Sequence, residues 1–312
     1  GDTPNFVDPF LGGNSFLFHR PGWDYDAGAW ADGTARLETV NDADGYVANF
    51  WRAVQDDPDA VAHYADWAPN ENDLHARHIW LTGQRASLRS RLEGDPDWYD
   101  AKVAGWWVWG ISLWIGTGFC SGNGPWQSIN GEMVNTGDAG RGVNRQRIRL
   151  GDAGMGQCDR SSNGLRDYMY QLSDRMRTVR VCCGDWTRVL GPTPTFINGL
   201  TGVILDPPYD LSLRDAGCYI VDTDGISARV REWAIANGDN PKLRIALCGY
   251  EGEHTMPDTW ECVAWSTQGG YASQSNGNSR GKTNKRLERV WFSPHCIRPI
   301  MAKMMQMEAL WN

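Results

Sequence analysis

Residues 203–209 read Val-Ile-Leu-Asp-Pro-Pro-Tyr, an apolar β-forming run that ends in an acid, two prolines and an aromatic ring. The run predicts a buried strand, and the prolines predict a rigid turn directly after it. Pro207 and Pro208 have no N–H, so the carbonyls of the turn are left to accept hydrogen bonds. Asp206 adds a side-chain acceptor, and Tyr209 adds a flat apolar face with a polar tip. A turn with these groups suits a planar heterocycle bearing an exocyclic amine. Asp206 and the Pro207 carbonyl together can accept from both N–H groups of that amine. Doing so localises on nitrogen a lone pair otherwise delocalised into the ring, and makes a poor nucleophile a usable one. In-line orientation against an electrophile then supplies much of the rate.

Three more segments carry groups of the same kind. Phe6-Val7-Asp8-Pro9-Phe10-Leu11-Gly12-Gly13-Asn14 runs a strand into two glycines, where the backbone can turn sharply and approach a ligand. Asp8 stands at the strand's end, the position at which doubly wound sheets bind ligands. Glu38-Thr39-Val40-Asn41-Asp42 and Val179-Arg180-Val181-Cys182-Cys183-Gly184-Asp185-Trp186 likewise close on acids. These segments, in this order before Asp206-Pro207-Pro208-Tyr209, resemble the motifs of the D12-class (Dam-like, alpha group) DNA N6-adenine methyltransferases. Residues 219–233, 243–250 and 289–294 resemble phage and prophage members of that class.

The resemblance implies an α/β fold, the Rossmann-like doubly wound sheet of class I methyltransferases, with a largely helical target-recognition insertion. It implies S-adenosyl-L-methionine as cofactor, double-stranded DNA as partner, no metal, and a flipped adenine as substrate. On it Asp8, Pro9, Phe10, Gly12 and Gly13 hold the methionine end of the cofactor. Asp42 accepts from the ribose, Asp185 accepts from the cofactor adenine amine, and Trp186 packs on that ring. Asp206, Pro207, Pro208 and Tyr209 form the catalytic turn, with Tyr209 stacking on the extruded base. Because the motifs must converge on one transferred methyl, the strands ending at Asp8 and Asp206 are expected to be neighbours. Family members carry a Gly-Gly-Lys segment ahead of the first motif. This sequence reaches that motif at Phe6 without one, and weak cofactor binding is the expectation. Two alternatives stay open: N4-cytosine methylation, whose enzymes more often have Ser where Asp206 stands, and a DNA-binding relic with an empty cofactor pocket. Methylation of RNA or of protein glutamine by a related turn usually takes Asn at that position.

The chain has 312 residues, 41% hydrophobic and 22% charged, enough for one domain with a sizeable insertion. No apolar run reaches the length of a membrane span. Eight scattered cysteines form no Cys-x-x-Cys pair, which argues against a zinc site and fits a reducing cytoplasm, that of a bacterial or phage-infected cell on the resemblance. The net charge of −8 argues against indiscriminate nucleic-acid binding, but its distribution is uneven. Residues 141–188 hold ten Arg against five Asp, with no Lys or Glu, and residues 280–289 form a second basic island. Either is a candidate DNA face. Arg141, Arg145, Arg147 and Arg149 are the candidate contacts, to guanine edges or, for most of them, to phosphate.

Residues 5–50 read as strand, loop, strand and the start of a helix near Asp44, with Tyr46, Val47, Phe50, Trp51 and Val54 at helical spacing. Further helices are expected over 74–92, 101–114, 165–176, 226–237 and 301–311, and a buried strand over 243–248. The tryptophans of 106–114 are expected to pack in a helical core rather than stack on bases. Residues 116–164 and 268–284 read as loops. The expected division is a catalytic domain of residues 1–50 and 179–312 with a target-recognition insertion of residues 51–178.

Overall fold

The computed structural model describes residues 3–114, 119–120, 126–130, 132–135, 164–210, 225–264 and 286–297. The N-terminal part holds β1 (Asn5–Asp8), α1 (Ser15–Phe18), β2 (Trp23–Asp24), β3 (Ala29–Trp30), β4 (Leu37–Asp42) and α2 (Gly45–Asp56). Then come α3 (Pro58–Ala65), α4 (Glu71–Gly94), α5 (Ala101–Leu113), β5 (Trp126–Ile129), β6 (Glu132–Asn135) and α6 (Gly164–Met176). The C-terminal part holds β7 (Arg180–Cys183), β8 (Thr201–Leu205), α7 (Ile226–Asn237), β9 (Leu243–Tyr250), β10 (Glu261–Ala264) and β11 (Glu288–Phe292).

Local chemistry explains the element boundaries. β1 is buried along its whole length and β8 at alternate positions, as their apolar sequences require. Asp44 caps α2 by accepting from the Tyr46 N–H, and Asp57 caps α3, where Pro58 takes the first turn. Asn70 caps α4, and Asp100 caps α5. Asn49 of α2 also exchanges two hydrogen bonds with the Asp100 backbone, which fixes α5 against α2. In α6 the buried residues Leu165, Met169, Leu172 and Met176 recur at helical spacing.

Seven strands form one sheet in the order β10-β11-β9-β8-β1-β4-β7. β1 pairs in parallel with both β4 and β8, and the β4–β7 and β8–β9 pairs are parallel too. Only β11 runs against its neighbours β9 and β10 among the described strands of this sheet. The chain goes outward from β1 to β4 and β7, then returns to β8 on the other side of β1. The order therefore reverses between β1 and β8, and a ligand crevice belongs at the C-terminal ends of those two strands. The expected adjacency is present, with Val7 in register with Val203.

Two buried cores flank this sheet, one on each face. One joins Phe6 and Val40 to α2 through α6, and the other joins Val7, Val203 and Leu247 to α7 and Trp186. The described part of residues 51–178 is largely helical, but the expected boundary at 50/51 falls inside α2. That helix packs on β4 and β7, so its own burial ties the start of the insertion to the sheet. The tryptophans of α5 pack inward as expected: Trp109 is fully buried, with the Arg77 guanidinium 4.1 Å from its ring centroid. Gly105 permits the close α3–α5 approach, because a Cβ there would stand 2.4 Å from the Tyr64 Cβ. The loop expected between the two strands of residues 5–50 contains the short β2–β3 hairpin, whose pairing periodicity alone does not signal. The expected loop at 268–284 and helix at 301–311 lie outside the described residues.

Candidate functional site

Asp8 is the last residue of β1 and is 1% exposed. Its Oδ1 accepts from the Phe10 N–H at 3.1 Å. Burial, reinforced by the Asp206 and Asp42 carboxylates, pushes its pKa up to about 8 despite that bond. Asp42 ends β4 and accepts from the Gly12 N–H at 2.9 Å and the Asp44 N–H at 2.8 Å, one on each oxygen. Burial raises the Asp42 pKa and, with Asp42 beside it, raises that of Asp44 to about 7. Asp42 thus closes the glycine loop back onto β4, and its carboxylate keeps acceptor capacity for a ligand hydroxyl.

Gly12 has a φ of +46°, a left-handed conformation that an L side chain adopts at a cost. Gly13 does not, and a Cβ added to it would meet no protein atom within 4 Å. The loop is exposed at both glycines and leaves room beside them for a ligand. Asn41 was quoted in sequence only as part of a motif; the structure gives it a role. Its buried Nδ2 donates to the Pro9 carbonyl and to the Gly184 carbonyl, both at 3.1 Å. One side chain therefore ties the first-motif loop to the third-motif loop. The Leu11 N–H also donates to the Asn41 carbonyl at 2.9 Å.

Asp185 is exposed just beyond β7 and caps the short helical turn Trp186–Val189. Desolvation would raise its pKa, but the Thr187 hydroxyl and N–H bound to Oδ1 hold it below the usual carboxylate range. Trp186, expected to pack on the cofactor adenine, is 5% exposed. Its ring stacks on Phe10 at 6.1 Å between centroids, and the Arg229 guanidinium lies 5.7 Å from it. It serves as support beneath the Pro9–Phe10 segment, because a large apolar ring at a strand end finds more to bury below the loop than above it.

Asp206 follows β8, and Pro207 and Pro208 behind it are buried. Burial pushes the Asp206 carboxyl up to about 6, and the Tyr209 hydroxyl beside it lowers it in part. That hydroxyl donates its one proton to Glu288 Oε2 at 3.0 Å, and the Tyr209 ring meets Tyr250 edge-on at 4.5 Å. Burial raises the Glu288 pKa to about 7. Glu253 anchors the same turn: it accepts from the Asp210 N–H at 2.9 Å, the Ser227 hydroxyl at 2.6 Å and the Tyr250 N–H at 2.9 Å.

Glu253 and Glu288 were not anticipated as site residues. In sequence Glu288 is one acid within the basic island of residues 280–289, yet the β9–β11 register sets it opposite Tyr250 and beside the turn. Nothing local in sequence marks that pairing. Asp8, Asp42 and Asp206 do converge on the crevice, while Asp185 and Trp186 flank it beyond β4. Beside it, a cavity of about 590 Å³ lies between Asp44–Tyr46 and α4, lined by Thr82, Arg85, Arg89 and Glu93 among others.

Arg141, Arg145, Arg147 and Arg149, the candidate DNA contacts, lie outside the described residues. The rest of the first basic island is only partly a surface. Arg175 is buried and pairs with both oxygens of buried Glu38 at 2.7 Å, and Arg20 shares that carboxylate. Arg166 pairs with Asp59, while Arg177 and Arg180 are exposed. In the second island Arg289 pairs with Glu251 at 2.8 Å. Among the described residues no helix is long and apolar enough to cross a membrane, and no group of three His, Cys, Asp or Glu side chains is placed to hold a metal ion. No protein-family model matches this sequence, and no curated protein matches it.

Proposed function

We propose that this chain transfers a methyl group from S-adenosyl-L-methionine to N6 of an adenine extruded from DNA. The observation that carries the reading is the placement of Asp8 and Asp206 at the C-terminal ends of adjacent parallel strands, across the reversal of strand order. The resemblance assigns one to the cofactor and the other to the target amine, and a transfer needs the two side by side.

The residues fit the cofactor. Three buried or half-buried carboxyls line a crevice suited to a cation, and the space beside Gly13 admits a ligand backbone. When bound, the cofactor supplies an electrophilic methyl on a sulfonium. Asp42 retains acceptor capacity for a ribose, and Asp185 is exposed for an amine. Asp206 accepts from the target amine and strengthens that bond as positive charge builds on nitrogen. Asn41 holds the two flanking loops in place, and Glu253 holds the catalytic turn. Tyr209 packs the base, with its hydroxyl turned to the carboxylates.

Expression in cells whose plasmid DNA lacks adenine methylation, followed by sequencing for modified bases, tests this. Modified adenine at a defined site is expected. N4-methylcytosine would shift the assignment to that amine, and unmodified DNA together with no binding of S-adenosyl-L-methionine by calorimetry would overturn it.

A further inference from the structure

Glu288 is half-buried beside two other acids, which is a costly place for a carboxylate. A phenylalanine at 209 would provide the same stacking face without any need for it. Instead the Tyr209 hydroxyl donates to Glu288 Oε2 at 3.0 Å and is also hydrogen-bonded to Asp206. The Tyr209 ring is braced edge-on by Tyr250, and Tyr250 is the residue in register with Glu288 across β9 and β11. An acid, a phenol and a second acid thus form a continuous hydrogen-bonded chain that starts where the target amine is to sit.

We propose that Glu288 takes up, through the Tyr209 hydroxyl, the proton that the methylated amine must give up. The inference rests on the methyl-transfer reading. Once nitrogen has gained its methyl it carries four substituents and a positive charge. One N–H bond breaks, its electron pair returns to nitrogen, and the proton passes to the Asp206 carboxylate. The Tyr209 hydroxyl accepts that proton as it hands its own to Glu288 Oε2. Asp206 is left ionised, Tyr209 unchanged and Glu288 neutral, and half-buried Glu288 returns the proton to water. Glu288 is a positioning residue in this scheme, acting on the reacting nitrogen only through Tyr209 and Asp206.

The surrounding groups leave that path open. The groups facing Glu288 are Tyr209, Asp206, Glu253 and Cys248. Glu253 is occupied by three donors from Asp210, Ser227 and Tyr250, which keeps it off the path. The neighbouring Arg289 is turned to Glu251. Burial raises both carboxyls, so each can hold a proton near neutral pH.

The test has one arm without substrate and one with it. In the whole protein alone, the carboxyl ¹³C titration of Glu288, assigned by its loss in Glu288→Gln, should move to higher pH in Tyr209→Phe, because the phenol is the donor that lowers it. A Glu288 titration that ignores Tyr209→Phe overturns the chain. In single-turnover adenine methylation, Glu288→Gln keeps an acceptor for Tyr209 but cannot take a proton. Its rate should fall about tenfold or more, and the acid limb should lose its component near 7. Tyr209→Phe should lose the same component, and it serves as the reporter if Glu288→Gln melts early. Methylation with an unchanged pH profile in both variants overturns the role of Glu288 and spares the methyl-transfer reading. No methylation of DNA by the wild-type chain overturns that reading and the proton's source with it.

Discussion

Val7 and Val203 face each other in register, so Asp8 and Asp206 leave neighbouring strands at the same edge of the sheet. The proximity raises the Asp8 pKa further, on top of burial. A carboxyl with a folded pKa above its unfolded value binds a proton more tightly in the native state. Its contribution to stability is therefore present at low pH and is lost as pH rises toward about 8. Asp8→Asn keeps the acceptor for the Phe10 N–H and removes the titration. Thermal melts should show the variant more stable than the wild type at pH 8 and similar to it near pH 4. A cationic ligand favours ionised Asp8, so wild-type affinity for S-adenosyl-L-methionine should rise with pH up to about 8, with proton release on binding. Calorimetry in buffers of different ionisation enthalpy measures that release, and Asp8→Asn should remove it.

Asn41→Ala should cost about 2–4 kcal/mol, because it leaves two buried carbonyls, those of Pro9 and Gly184, without a donor. Urea unfolding measures the loss. The two loops it joins flank the cofactor crevice, so affinity should fall with stability. Loss of stability alone would make Asn41 a strand residue and nothing more.

The two glycines of the first loop should behave differently. Gly12→Ala should lose about 1–2 kcal/mol through its left-handed backbone. Gly13→Ala meets no protein atom and should stay within about 0.5 kcal/mol of wild type. If a ligand passes close to Gly13, Gly13→Val should weaken binding of S-adenosyl-L-methionine without lowering the melting temperature. Unchanged binding would place the ligand elsewhere in the crevice.

The helices expected from near Asp44 and over 74–92, 101–114, 165–176 and 226–237 are present, at Gly45–Asp56, Glu71–Gly94, Ala101–Leu113, Gly164–Met176 and Ile226–Asn237, because each has a short-range cause: an apolar stripe, often with a capping side chain. The strand ends at Asp8, Asp42 and Asp206 were legible for a similar reason, since apolar runs stop at acids there. Residues whose partners are far along the chain were not. Arg175 reads as one more cation in a basic stretch, yet it is buried against Glu38 by a pairing across 137 positions. Glu288 lies 79 positions from Tyr209, and only the sheet register brings them together.

Asp206→Asn isolates the carboxylate's charge from its shape. The amide keeps the size and one acceptor oxygen. Stability should not fall, because the native state holds this carboxyl at about 6, above its ordinary value. The sign is that of a penalty paid above the unfolded pKa, so thermal melts at pH 7 should show the variant equal to or more stable than the wild type. Loss of the negative charge also relieves Asp8, whose pKa should drop. Catalysis should go the other way. The charge that holds the amine as it becomes cationic is gone, and so is the first acceptor of its proton. Single-turnover methylation should slow by about 10²-fold or more, while DNA affinity changes little, because the bond is made chiefly in the transition state. If instead the carboxylate only braces the turn, melting temperature and rate would fall together. A variant that is folded, binds DNA and methylates at near wild-type rate would remove Asp206 from the chemistry.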